Sequence, residues 1–105
     1  MAWEKVEKVE EVTVGGCKAL MVNGYELALF RVGEEFHCID DVCPHLAAPL
    51  SDGWVENEIV TCPWHAWQIN VRTGEVLFDP YSKVSTYPCK VESEAVWVQI
   101  PDKTT

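Results

Sequence analysis

Basic residues are scarce in this chain: eight Lys and Arg stand against seventeen Asp and Glu, a formal net charge of −9. A surface of that sign repels phosphate backbones and anionic lipid headgroups, so nucleic acid and membranes are poor partners and a basic face on another protein is the natural complement. Long apolar runs are missing as well. The longest uncharged stretch, Ile59 to Val71, is broken by Pro63, His65, Gln68 and Asn70, which excludes a membrane-spanning helix. The first ten residues alternate charged and apolar side chains and lack the apolar segment of a secretory signal, so a cytoplasmic location is expected. Helical periodicity is weak throughout, and there is no internal repeat, linker or low-complexity segment. No G-x-G-x-x-G is present to cradle a nicotinamide or flavin nucleotide. At 105 residues the chain is one domain, because two independent cores would each be too small to offset chain entropy. Its five cysteines are odd in number and unaccompanied by a secretory signal, which points away from a disulfide scaffold and towards metal or free thiols.

Period-2 alternation is what the sequence has in place of helical pattern, and it predicts an all-β domain. Ala19 to Val22 and Glu26 to Val32 flank Asn23-Gly24, a dipeptide that tolerates the positive φ angles of a tight hairpin, and Gly33-Glu34-Glu35 turns the chain into a further strand, Phe36 to Asp40. Trp54-Val55 and Ile59 to Thr61 bracket Glu56-Asn57-Glu58 as a second hairpin that feeds directly into Cys62. Gln68 to Val71 and Glu75 to Phe78 form a third around Arg72-Thr73-Gly74. Asp79 to Lys83 reads as a proline-containing loop, after which Val84 to Val91 and Ala95 to Ile100 complete the sheet around Glu92-Ser93-Glu94. The charge run Glu4 to Glu11 reads as a solvated strand face. The stretch from about residue 40 to residue 80 stands apart, with prolines, two histidines and three tryptophans, as an insertion built for a site.

Two short boxes inside that stretch carry the chemistry: Cys43-Pro44-His45 and Cys62-Pro63-Trp64-His65, separated by the sixteen residues Leu46 to Thr61. Each offers one thiol and one imidazole. Thiolates are soft anionic ligands and neutral imidazoles borderline ones, so a Cys2His2 set can hold a single tetrahedral zinc or an iron–sulfur cluster with mixed ligation. Zinc fingers place two cysteines on one knuckle and two histidines on a helix, whereas here each box is mixed and strands surround both, which weakens the zinc reading. A zinc-stabilised binding module stays in view as the non-redox alternative.

C-x-H followed after sixteen residues by C-x2-H resembles the Rieske [2Fe-2S] signature, in which two Cys bind one iron and two His the other. The string Cys-Pro-His-Leu-Ala-Ala-Pro-Leu-Ser-Asp-Gly, the hairpin into Cys-Pro-Trp-His, then Arg-Thr-Gly and a late Tyr-Pro stand in the order of Rieske-type ferredoxins, so the resemblance covers almost the whole chain. It implies an antiparallel β-sandwich base with a small cluster-binding subdomain over about residues 40–80, and one [2Fe-2S] cluster held by Cys43, His45, Cys62 and His65. Pro44, Leu46, Ala48, Trp64, Trp67 and Pro80 are the expected surroundings of that cluster. Respiratory Rieske proteins carry a disulfide where this chain has Ala48 and Trp64, and Ser and Tyr donors to the cluster where it has Trp67 and Ile69. Without those devices the resemblance is to the soluble ferredoxin branch, at the low end of the Rieske range, about −150 mV.

The resemblance implies a one-electron carrier, not an enzyme, taking electrons from a flavin NAD(P)H reductase and passing them to a terminal oxygenase or hydroxylase. The small Rieske subunit of an NADH-dependent nitrite reductase is the alternative. His37 is the one histidine left over and reads as a surface or packing residue, so the chain cannot supply the second, mononuclear iron site of a Rieske oxygenase. Cys17, Cys38 and Cys89 read as ordinary strand residues. Trp67, beside His65, is the expected aromatic contact for a docking partner.

Overall fold

The computed structural model describes residues 2–41, 49–62, 67–77 and 79–100. Over these residues the chain runs through β1 (Ala2–Lys8), β2 (Cys17–Val22), β3 (Tyr25–Val32), β4 (Glu35–Asp40), β5 (Trp54–Glu56), β6 (Ile59–Thr61), β7 (Gln68–Asn70), β8 (Glu75–Val76), β9 (Asp79–Lys83), β10 (Thr86–Tyr87), β11 (Cys89–Glu92) and β12 (Ala95–Ile100). Single 3-10 turns at Val9–Glu11 and Leu50–Asp52 are the helical pieces among the described residues. Pairing is antiparallel and gives three sheets, ordered β1-β12-β11, β10-β4-β3-β2 and β5-β6-β7-β8-β9, so the expected all-β class holds. Among the described residues no helix is long and apolar enough to cross a membrane.

The layering follows from β3. Leu27, Ala28, Leu29 and Phe30 are all 0% exposed, and an unbroken apolar run of this kind has to be covered on both faces. Leu27 and Leu29, with Phe36 and Cys38 of β4, pack against Val96, Val98 and Ile100 of the three-stranded sheet. Ala28 and Phe30, with Ile39, pack against Val55, Val60, Ile69 and Val76 of the five-stranded sheet. The four-stranded sheet is thus the middle layer between two cores. Burial of Leu27, Leu29 and Phe30 contributes about 1.5–3 kcal/mol each.

The Asn23-Gly24 hairpin forms as expected, with φ of 51° and 84° and Val22 opposite Tyr25. Four expectations need correction. Asp79–Lys83 is a strand and not a loop: β9 is the edge of its sheet, where a proline removes no ladder hydrogen bond that the sheet needs. Val84 to Val91 is broken into β10 and β11, because Pro88 lacks an N–H and the two pieces pair with different sheets. The third hairpin's second strand ends at Val76, short of Phe78. The run Glu4 to Glu11 is more than a solvated face, since Val6 and Val9 pack on the second core and Val9–Glu11 leaves the strand.

Candidate metal centre

Of the four expected ligands, Cys62 lies among the described residues. It follows β6 directly, is 0% exposed, and sits in the core with Val60 and Ile69. Its backbone N–H donates to the Trp67 carbonyl at 2.7 Å, which carries the β6–β7 ladder one step past the Thr61–Gln68 pair. Cys62 and Trp67 therefore close the hairpin, and the four residues between them in sequence begin and end at this point of the sheet. Trp64 and His65 are among those four and lie outside the described residues.

The first box, with Cys43, Pro44, His45, Leu46 and Ala48, also lies outside the described residues, and its two flanks are tied together. Asp41, just after β4, accepts the Ser51 backbone N–H and the Ser51 hydroxyl, each at 2.7 Å, one on each carboxylate oxygen. The Asp41 N–H donates to Glu26 O at 3.0 Å, so the near flank is anchored to β3. The Cys17 thiol donates to the Ser51 carbonyl at 2.9 Å, and burial, then the carboxylates of Asp41 and Asp52, push that thiol up and keep it the neutral donor. Leu50, beside Ser51, is fully buried in the same core as Cys62.

Gly53 joins the two flanks. A side chain there would collide with the carbonyl oxygen of Thr61, the residue before Cys62, and Trp54 pairs with Thr61 across β5 and β6. The flanks of both Cys-His boxes are thereby tied together at one end of the five-stranded sheet, beside one apolar core that already contains the Cys62 thiol. A mixed thiolate–imidazole set supplied from two loops with adjoining roots fits a Rieske cluster. No three His, Cys, Asp or Glu side chains gather as a metal site among the described residues, which omit three of the four motif residues.

Trp67 is half-buried and packs against this core, so the expected partner contact is here a packing residue. Pro80 lies within β9. His37 pairs with Glu35, Nε2 to Oε1 3.1 Å, on a side chain 15% exposed. Cys38 and Cys89 are strand residues, and contact with Cys89, then burial, pushes the Cys38 thiol far above its ordinary value, leaving it inert. Tyr87 donates its hydroxyl to Asp40 at 2.6 Å and braces the end of β4, and burial followed by that carboxylate pushes its phenol up. Sequence reasoning missed the roles of Cys17, Asp41, Ser51 and Gly53. Ser51 and Gly53 stand in the Leu-Ser-Asp-Gly string after the first box, and Tyr87 in the late Tyr-Pro, but their partners are distant in sequence.

The Rieske [2Fe-2S] domain family model matches residues 2–88, and the chain belongs to that family. Its cofactor is a Rieske [2Fe-2S] cluster. The chain is 34% identical over 99 residues, 93% of its own length and 95% of the relative's, to the ferredoxin component of the naphthalene 1,2-dioxygenase/salicylate 5-hydroxylase systems of a Ralstonia species. A solved complex of reduced oxygenase and oxidized ferredoxin in carbazole 1,9a-dioxygenase contains a chain that superposes with a TM-score of 0.84 at 28% identity, covering 91% of both chains. A protein from Mycobacterium tuberculosis described as a putative NADH-dependent nitrite reductase small subunit superposes with a TM-score of 0.87, covering 95% of this chain and 96% of that one, at 24% identity, a likeness of fold.

Proposed function

We propose that this protein is the ferredoxin of a multicomponent oxygenase system, a one-electron carrier between a flavin NAD(P)H reductase and a terminal oxygenase or hydroxylase. The observation that carries this reading is that the flanks of the two Cys-His boxes are fixed by Asp41–Ser51 and by Cys62–Trp67, in a chain whose 34% relative is a ferredoxin component. On this reading Cys43, His45, Cys62 and His65 hold the cluster, with Pro44, Leu46, Ala48, Trp64, Trp67 and Pro80 around it, and about residues 40–80 form the cluster-bearing part of the molecule. When bound, the cluster supplies a store for one electron. The chain's own contribution is to keep the Cys62 side dry and to fix the loop roots, so that little rearranges when the charge changes. Substrate chemistry belongs to the partner. The nitrite reductase alternative rests on likeness of fold at 24% identity, while the ferredoxin reading has the sequence relationship. Cys17, Cys38 and Cys89 are thiols outside any disulfide, which suits a reducing, cytoplasmic setting.

Anaerobic stopped-flow mixing of the dithionite-reduced protein with the oxidised oxygenase component of a naphthalene 1,2-dioxygenase system tests the proposal. One electron per ferredoxin should pass to the oxygenase. No transfer, together with copurification of this protein with a sirohaem subunit, would assign it to a nitrite reductase instead.

A further inference from the structure

Residues of the five-stranded sheet alternate between its two faces. Val55, Val60, Ile69 and Val76 point into the core, so Trp54, Thr61, Gln68 and Leu77 fall on the outer face. These four form one row: Trp54 pairs with Thr61, Thr61 with Gln68, and the Leu77 N–H donates to Gln68 O at 3.0 Å. The row spans three strand spacings, about 14 Å. Its two ends are large and apolar yet exposed, Trp54 at 52% and Leu77 at 51%, Gln68 is exposed, and Thr61 between them is buried at 8%, so the accessible surface is that of Trp54, Gln68 and Leu77. Trp3, Trp67 and Trp97 are each more covered than Trp54. Among the described residues, the other large apolar side chains exposed to this degree, Val14, Met21 and Val91, lie before β2, on β2 and on β11, outside this sheet. Thr61 and Gln68 are the chain neighbours of Cys62 and Trp67, so the row borders the root of the cluster loop.

Charge identifies the occupant. From Val32 to Val71 the chain has no Lys or Arg and seven Asp and Glu, which is −7 of the total −9. Asp52, Glu56 and Glu75 are exposed near the row; of the bases from β5 to β9, Lys83 lies opposite Glu75 and Arg72, in the β7–β8 turn, is paired with Glu35 and Glu58. A second copy of this chain would meet like charge there. An apolar patch ringed by Lys and Arg is complementary in both respects.

We propose that the Trp54–Leu77 row is the docking surface for an electron-transfer partner, a redox protein whose apolar patch is rimmed by basic side chains. Trp54 is the anchor, Leu77 and Gln68 extend the contact, and the surrounding carboxylates steer approach. A row of this length suits the small interfaces of redox encounters. The proposal rests on the ferredoxin reading and adds the face by which the partner is held.

Cytochrome c, a basic protein with its haem edge ringed by lysines, is the probe. One electron leaves the reduced ferredoxin and turns the ferric haem ferrous. At low ionic strength Trp54→Gln and Leu77→Gln should each lower the second-order rate constant about fivefold or more, with unchanged visible spectrum and potential, and Met21→Gln should leave the rate as it was. Carbodiimide cross-linking reads contact without electron transfer, and the joined carboxylates should be Asp52, Glu56 and Glu75. Wild-type rates in both row variants, cross-links confined to Glu10, Glu92 or Glu94, or a homodimer cross-linked through Glu56 would each overturn the proposal. A protein that shows the expected variant pattern with cytochrome c but fails to reduce the oxygenase component would keep this surface and sink the oxygenase assignment.

Discussion

Gly53 is held at a φ of −86°, a conformation open to any residue, so what demands glycine there is the Thr61 carbonyl across the strand and nothing in the backbone itself. Gly33 is the reverse case, with φ of 61° and open space around it. Gly53→Ala should therefore push β5 off β6 next to Cys62, costing about 2 kcal/mol or more and lowering cluster content, while Gly33→Ala should cost about 1–2 kcal/mol and leave the cluster intact. Urea midpoints and iron content of the two variants check this, and equal cluster loss in both would remove the steric argument. The contrast also marks what sequence can convey. The string Leu-Ser-Asp-Gly was legible as part of a Rieske-like signature, but the reason for its glycine lies at Thr61. In the same way Cys17 reads as an ordinary strand residue until the fold brings its thiol to the Ser51 carbonyl, next to the Asp41–Ser51 contact.

Turns and strands hold two further expectations. The β11–β12 turn places Ser93 and Glu94 at φ of 53° and 63°, positions that the β2–β3 turn fills with Asn and Gly. Ser93→Asn with Glu94→Gly should stabilise the protein by about 1 kcal/mol, read as a rise of several degrees in Tm, since the Val9 N–H bond to residue 94 uses only the backbone carbonyl. An unchanged or lower Tm would show that the side chains there do more than turn the chain. Arg72 ties three turns together, with Nη2 2.7 Å from Glu35 and Nε 2.9 Å from Glu58. Hydrogen bonds from Arg72 and then Asn70 hold the Glu58 carboxyl below the ordinary carboxylate range. A depressed folded-state value means this contribution is present above the ordinary carboxylate value and is lost as pH falls through the depressed one. Arg72→Ala should therefore cost stability near neutral pH and progressively less as the solution is acidified below the ordinary carboxylate range, by thermal melts of both proteins, and a loss that does not change with pH would contradict the linkage. The hairpins were readable because Asn-Gly and Arg-Thr-Gly are local signals. β9 was not, because Pro80 reads as a breaker until one knows that the strand is an edge.

At the scale of the whole molecule the sequence conveyed class and chemistry better than architecture. Alternation predicted strands, but the unbroken Leu27–Phe30 run placed no strand in a middle layer until two partner sheets were seen to cover it. Net charge, by contrast, is a whole-chain property that needs no fold, and with −7 of it between Val32 and Val71 it bears directly on docking. Electron transfer to a basic partner should slow several-fold as salt rises from about 20 to about 200 mM, because exposed charges are screened beyond roughly a Debye length. Rates flat in salt would remove charge steering from the account. The central claim is that the two Cys-His boxes hold a two-iron cluster and not a single ion. Iron, zinc and acid-labile sulfide analysis of the anaerobically purified protein tests it most directly: two irons and two sulfides per chain are expected of a [2Fe-2S] cluster, and one zinc with no sulfide would contradict it.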